Sequence, residues 1–256
     1  MINLKNKVAV VTGASSGLGA DAARAYAQFG ANVAILARRK EKLEKLSDEL
    51  KNNFEVEVLA AGCDVTDENQ VKLAIEQIVS KFGKIDILLN NAGVAVRGGV
   101  HQLSVEDWDK SFNTNVKGIF LTSKYVVPYM IKQNYGKIVN ISSVNAHIAD
   151  KSDVFIRHGY NSSKSAILGL TLGMACSYGK YNITVNTVCP GLFESEMTEN
   201  TLFKSNEFLD FYNTNCPMSR PGRKGELSGT VLYLSSDLSS YVTGQSIIID
   251  GGMSLI

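Results

Sequence analysis

The chain has 256 residues, with 26 lysines and arginines against 25 aspartates and glutamates. A net charge of +1 supplies no field that would draw nucleic acid or anionic lipid, so neither is an expected partner. Four scattered cysteines without C-x-x-C pairing, and three histidines without ligand spacing, point to buried reduced thiols and no metal site.

The opening MINLKNKVAVVTG lacks the apolar core of a signal peptide, and no apolar run reaches membrane-spanning length. A cytoplasmic protein is expected. Four prolines, no low-complexity stretch and no solenoid repeat favour one domain over residues 1–256. In chain order, seven short runs rich in Val and Ile are bounded by turn residues: KVAVVTG, NVAILA, VEVLAAG, IDILLNNAG, KIVNISS, ITVNTVCPG and SIIID. Between most of them the apolar period becomes helical, over Gly19 to Phe29, Arg39 to Leu50, Asp67 to Phe82, Val105 to Gln133, Tyr160 to Tyr178 and Gly225 to Leu234. Strand alternating with helix predicts an α/β, doubly wound Rossmann fold, a parallel seven-stranded sheet with helices on both faces. The stretch from Leu192 to Arg220 fits no strand and is expected to be a helical or loop excursion.

Gly13, Gly17 and Gly19 lie between the first strand and an alanine-rich helix, with Ser15, Ser16 and Leu18 completing the loop. Glycine lets backbone N–H groups approach a pyrophosphate, and the positive end of a helix dipole attracts that anion. About 20 positions beyond such a loop a carboxylate accepts bonds from the adenosine ribose, whereas an arginine accommodates a 2′-phosphate. Here Ala37 precedes Arg38 and Arg39, so NADP(H) is favoured and NAD(H) is the alternative. The rival reading of RRKEKLEK is a solvated helix start with paired charges. Thr66 or Asp67 is expected to cap the third helix. Farther on, Tyr160 and Lys164 share one helix face, four residues apart. A secondary alcohol that loses hydride must also lose a proton, and a phenol with a pKa near ~10 is a poor base. A nearby ammonium favours the phenolate, so Lys164 is expected to bring Tyr160 toward the working pH. A snorkelling lysine on an amphipathic face is the competing explanation.

The glycine pattern is T-G-x-x-x-G-x-G. Together with NNAG at Asn90 to Gly93, NTNVKG at Asn113 to Gly118, NISS at Asn140 to Ser143, YNSSK and PG at Pro190, it resembles the short-chain dehydrogenase/reductase family. The likeness runs from Lys7 to the final IIIDGGM. It implies Asp64 bonded to adenine with Val65 beside it, and Asn91, Ala92 and Gly93 along the adenosine ribose. Pro190, Gly191, Phe193 and Ser195 would lie against nicotinamide, Ser195 replacing the family's usual threonine. The resemblance also makes Tyr160 the acid/base and has Lys164 hold the nicotinamide ribose. Ser143 would donate to the substrate oxygen in preference to Ser142, and Asn115 would kink its helix and hold a water in a relay to Lys164. Between Ser143 and Tyr160 the chain is longer than the family pattern, and the extra residues fall in NAHIADKSDVFIRHG at the mouth of the site.

The excursion contains Phe193, Met197, Phe203, Phe208, Phe211, Tyr212 and Met218. In the family this segment closes over substrate, so an apolar lining suits a hydroxysteroid; alternatively these side chains only anchor the excursion. GLFESEMTE and Arg97 resemble the gluconate 5-dehydrogenase branch, where an arginine could pair with a sugar-acid carboxylate. The 3-oxoacyl-acyl-carrier-protein reductase branch fits less well, since Tyr181 and Asn182 stand where a docking arginine is expected. A non-catalytic dinucleotide-binding sensor or scaffold is the alternative from another class. A homotetramer is implied by the resemblance, with a dimer as the alternative.

Overall fold

The computed structural model describes residues 2–149, 155–199 and 203–255, with Met197 and Glu199 described by backbone only. Seven strands form one sheet in the order β3-β2-β1-β4-β5-β6-β7: β1 (Val8–Thr12), β2 (Asn32–Ala37), β3 (Val58–Gly62), β4 (Ile87–Asn90), β5 (Gly136–Ile141), β6 (Ile183–Pro190) and β7 (Ser246–Ile249). All six pairings are parallel, Val10 lying opposite Ala34 on one side and Leu88 on the other.

Alternation along each strand divides the core into two layers. Ala9, Val11, Val33 and Ile35 pack on one face, with α1 (Gly17–Gln28), α2 (Lys40–Asn53) and α9 (Ser228–Ser235). Val8, Val10, Ala34 and Leu36 pack on the other, with α3 (Glu68–Phe82), α5 (Gly118–Gln133) and α6 (His158–Tyr178). The helices bury one stripe each: Leu43, Leu46 and Leu50 on α2 recur at helical spacing and are all buried. Each contributes about 1.5–3 kcal/mol by leaving water. Of the two candidate caps for α3, Asp67 does the work, accepting from the backbone N–H of Asn69 and Gln70.

The stretch of helical period from Val105 to Gln133 is three pieces, broken around Asn115, the residue at which the resemblance implies a kink. After α4 (Val105–Phe112), capped by Ser104, the chain widens into a π-helical turn over Asn113–Lys117 before α5 begins. The extra residue per turn lets Asn115 turn inward and bond to Val94, outside the helix. The 192–220 excursion contains α7 (Glu196–Glu199) and α8 (Asn206–Asn215), and its base is pinned by a bridge between Phe193 and Gly222. Because the chain leaves β1 toward β2 and β3 and later returns to β4 on the opposite side, a crevice opens at the carboxyl ends of β1 and β4.

Candidate active site

That crevice is a cleft of about 730 Å³. Its adenosine end is built around Thr12, the last residue of β1. The Thr12 hydroxyl accepts from the backbone N–H of Asn91 (2.9 Å) and Ala92 (3.1 Å), and Asn91 Nδ2 donates to the carbonyls of Thr12 (3.0 Å) and Gly13 (3.2 Å). The NNAG turn is thereby locked against the glycine loop. Gly13 adopts φ +67°, and a Cβ there would lie 2.8 Å from Ala92 Cα. Gly19 does not line the cleft; it lies behind the loop, where a Cβ would meet the Gly13 carbonyl at 2.6 Å. Its place is in close loop-to-helix packing, not in contact with a ligand.

Helix α1 starts at Gly17 without a side-chain cap, and its first turn carries no acidic residue. Its N-terminal N–H groups and dipole are therefore available to an anion at the cleft wall, as a pyrophosphate requires. Ser15, Ser16, Gly17 and Leu18 line the cleft there, and Arg38, Arg39, Asp64 and Val65 line it beyond. These residues fit a dinucleotide. The two arginines differ: Arg38 is largely exposed, 4.0 Å from Asp64, whereas Arg39 donates to both Ser15 and Ser16. Asp64 Oδ1 accepts from the Thr66 backbone and hydroxyl.

At the other end, Ser143, Tyr160, Lys164, Pro190, Gly191, Phe193 and Ser195 line the same cleft. Helix α6 brings Tyr160 and Lys164 together, with Nζ 5.6 Å from the ring centroid. The structure separates the two serines. Ser142 Oγ donates to the Lys164 carbonyl (2.7 Å), while Ser143 hydrogen-bonds the Tyr160 hydroxyl and favours its ionised form. Asn115 does not line the cleft; it is fully buried, holding Val94 N (2.8 Å), Val94 O (3.0 Å) and Ser163 Oγ (2.9 Å). Gly93 lies close beside it: a Cβ there would sit 3.2 Å from Asn115 Oδ1 and 3.4 Å from Lys164 Nζ.

One electrostatic expectation is corrected. Burial dominates and pushes the Tyr160 hydroxyl above its ordinary pKa; the Ser143 bond and the charge of Arg157 oppose it. Lys164 spends its ammonium on the Ile141 carbonyl (3.0 Å), and burial lowers its own pKa to about 8. The protein alone thus keeps the phenol protonated, and the cation acting on it is Arg157, with its guanidinium 5.9 Å from the ring.

Arg157 was missed because an arginine ahead of a helix carries no sequence signature; its position three residues before Tyr160, near one helical turn, was the available signal. Lys110 is a second addition to the cleft lining, joining Arg97. From the aromatic excursion, Phe208, Phe211 and Tyr212 line the cleft and Phe193 is buried in its wall. Met218 packs against the C-terminal turn at Gly251, and Phe203 is not part of the lining. The Met197 side chain lies outside the described residues. Among the described residues, no helix is long and apolar enough to cross a membrane.

The family described as Enoyl-(Acyl carrier protein) reductase matches residues 13–254. The chain is 40% identical over 255 residues to a 3-oxoacyl-acyl-carrier-protein reductase of Thermotoga maritima, covering 98% of this chain and 99% of that protein. It is 38% identical over 261 residues to gluconate 5-dehydrogenase of Gluconobacter oxydans, covering 100% and 97%. A solved gluconate 5-dehydrogenase from Burkholderia cenocepacia, in complex with NADP and tartrate, superposes with a TM-score of 0.93 at 32% identity, covering 100% and 98%. With the crevice at the β1/β4 switch point, these likenesses place the chain in the short-chain dehydrogenase/reductase family, as an NAD(P)-dependent oxidoreductase acting on CH–OH groups.

Proposed function

We propose that the protein interconverts a ketone and a secondary alcohol bearing a negative charge, such as a sugar acid, with NADP(H) preferred and Tyr160 as the proton donor and acceptor. One observation carries the choice of substrate. Arg97, Lys110 and Arg157 line the cleft on the Tyr160 side, and none of them pairs with a carboxylate among the described residues. Unpaired cations at a concave site favour an anionic ligand. The tartrate in the similar Burkholderia cenocepacia structure is a hydroxy acid, which supports the same class.

The bound nicotinamide supplies or accepts hydride. Glycine-loop N–H groups and the α1 terminus would hold its pyrophosphate, Arg39 with Ser15 and Ser16 the 2′-phosphate, and Lys164 the nicotinamide-side ribose. Ser143 and Tyr160 would both donate to the substrate carbonyl oxygen, so charge developing there meets two positioned donors. A phenol kept protonated by burial is ready to give its proton in the reductive direction. The phenolate left behind is then stabilised by Arg157, with Lys164 one turn away. Asn115 acts by position: it ties the π-turn to the loop after β4, and Oδ1 retains one lone pair for the relay water that the resemblance implies.

The test is a panel of sugar acids, 3-oxoacyl thioesters and hydroxysteroids, with NADPH and NADH in parallel. Turnover of the acids, an increase in KM of about tenfold or more in Arg157→Ala, and a loss of kcat of about 10²–10⁴ in Tyr160→Phe with cofactor binding intact are expected. Turnover confined to thioesters or steroids would transfer the argument to the aromatic wall of Phe155, Phe208, Phe211 and Tyr212. A homotetramer is part of the same proposal, because Val105, Trp108, Phe120 and Leu172 expose apolar surface on α4, α5 and α6. Light scattering after size exclusion tests it.

A further inference from the structure

At the adenosine end Arg39 already holds an anion from its own chain. Its Nη1 and Nη2 donate to the two carboxylate oxygens of Glu196 at 2.7 and 2.8 Å, a bidentate pair. Nη2 also reaches Ser16 Oγ (2.8 Å) and Ser15 Oγ (3.0 Å), and Lys42 Nζ donates to Glu196 Oε1 at 2.7 Å. A guanidinium fork and an ammonium converge on one anion with the Ser16 hydroxyl beside it, while Ser15 accepts from Arg39 and steadies the fork; this is a donor set that a phosphate group also satisfies. Glu196 comes from far along the chain. It opens α7, directly after Ser195, and the Ser195 Cβ lies only 3.2 Å from where a Cβ on Gly17 would stand. The segment that leaves β6 past Gly191 and Phe193 is therefore fastened to the glycine loop and to α2 through this one carboxylate.

We infer that Glu196 is a cofactor-selectivity residue: its carboxylate occupies the cradle of Arg39, Lys42 and Ser16, and a 2′-phosphate enters only by displacing it. The inference rests on the reading of Arg39 as the 2′-phosphate ligand. NAD(H), which has no such phosphate, leaves the clasp closed. NADP(H) opens it and frees the 192–199 segment from the adenosine end. The two basic partners keep Glu196 ionised well below the usual carboxylate range, so the competition persists throughout the neutral range. The groups facing it are Arg39 and Lys42 from the β2–α2 region and Ser16 from the glycine loop. Both members of the Arg39–Glu196 pair are half-exposed, so each contact is weak individually and the displacement is reversible.

Calorimetric binding of NADPH and NADH to wild type, Glu196→Gln, Glu196→Ala and Arg39→Ala tests this. Both Glu196 variants should bind NADPH about three- to tenfold tighter, with NADH affinity changed by less than about twofold. In wild type, adenosine 2′,5′-bisphosphate should speed amide hydrogen exchange across residues 192–199, and adenosine 5′-monophosphate should not. Unchanged or weaker NADPH binding in the Glu196 variants, alongside a loss of about tenfold or more in Arg39→Ala, overturns the inference while leaving the cofactor reading standing. Unchanged NADPH binding in Arg39→Ala instead removes that reading, and the inference with it.

Discussion

Lys164 carries a charge at a cost that can be measured apart from activity. It is 4% exposed, its ammonium donates to Ile141 O, and no carboxylate pairs with it among the described residues. Burial lowers its pKa from the ordinary 10.5 to about 8. At about 1.36 kcal/mol for each tenfold in proton affinity, holding the proton in the folded state costs about 3 kcal/mol. Between those two values the unfolded chain binds more protons than the folded one, so stability rises with pH across that window. The full cost is present below pH 8, and about 2.5 kcal/mol of it disappears between pH 7 and pH 10. Lys164→Met removes the charge and this slope together. It also removes the bond to Ile141 O, a loss of about 1 kcal/mol that does not depend on pH. Urea unfolding of wild type and variant at pH 7, 8, 9 and 10 reads the difference directly. Wild type should gain about 2.5 kcal/mol on the variant over that range. A stability difference that stays constant over the four pH values would refute the reasoning, since the ammonium would then be no costlier in the fold than in water.

The remaining predictions concern other groups. Arg157 is the cation that lowers the Tyr160 pKa, so Arg157→Ala should move the pH profile of alcohol oxidation to higher pH; a displacement to lower pH would contradict the placement. Tyr26 and Ser235 share a buried hydrogen bond of 2.7 Å between α1 and α9, and Tyr26→Phe should cost about 1–3 kcal/mol in urea unfolding by leaving the serine unpaired. The double variant with Ser235→Ala should recover part of that loss. Gly13→Ala combines φ +67° with a 2.8 Å approach to Ala92, and should weaken NADPH and NADH together by about tenfold or more in calorimetry, unlike the selective changes at Arg39.

Much of the molecule is determined by local patterns in the sequence. Runs such as NVAILA alternate between two buried faces, as strands of a sheet covered on both sides do, and their alternation with helical segments points to parallel pairing, so the fold class follows from the residues directly. The four-residue spacing of Tyr160 and Lys164 places them on one face in any helix, and the glycine loop before an uncapped α1 carries its own anion affinity. The π-turn that pulls Asn115 to Val94 has no such local origin, because it depends on where β4 ends relative to α4. The resemblance favours Ser143 over Ser142, but the physical reason is tertiary: α6 presents the Lys164 carbonyl to Ser142 and the Tyr160 hydroxyl to Ser143. Tertiary structure also decided the electrostatics. Burial outweighs a neighbouring charge once a phenol and an ammonium leave water together, and Arg39 meets Glu196 across 157 positions only because folding joins the second strand's end to the sixth's. Short-range periodicity and spacing are local properties of the chain, whereas solvent exclusion and long-range charge pairing exist only in the folded molecule.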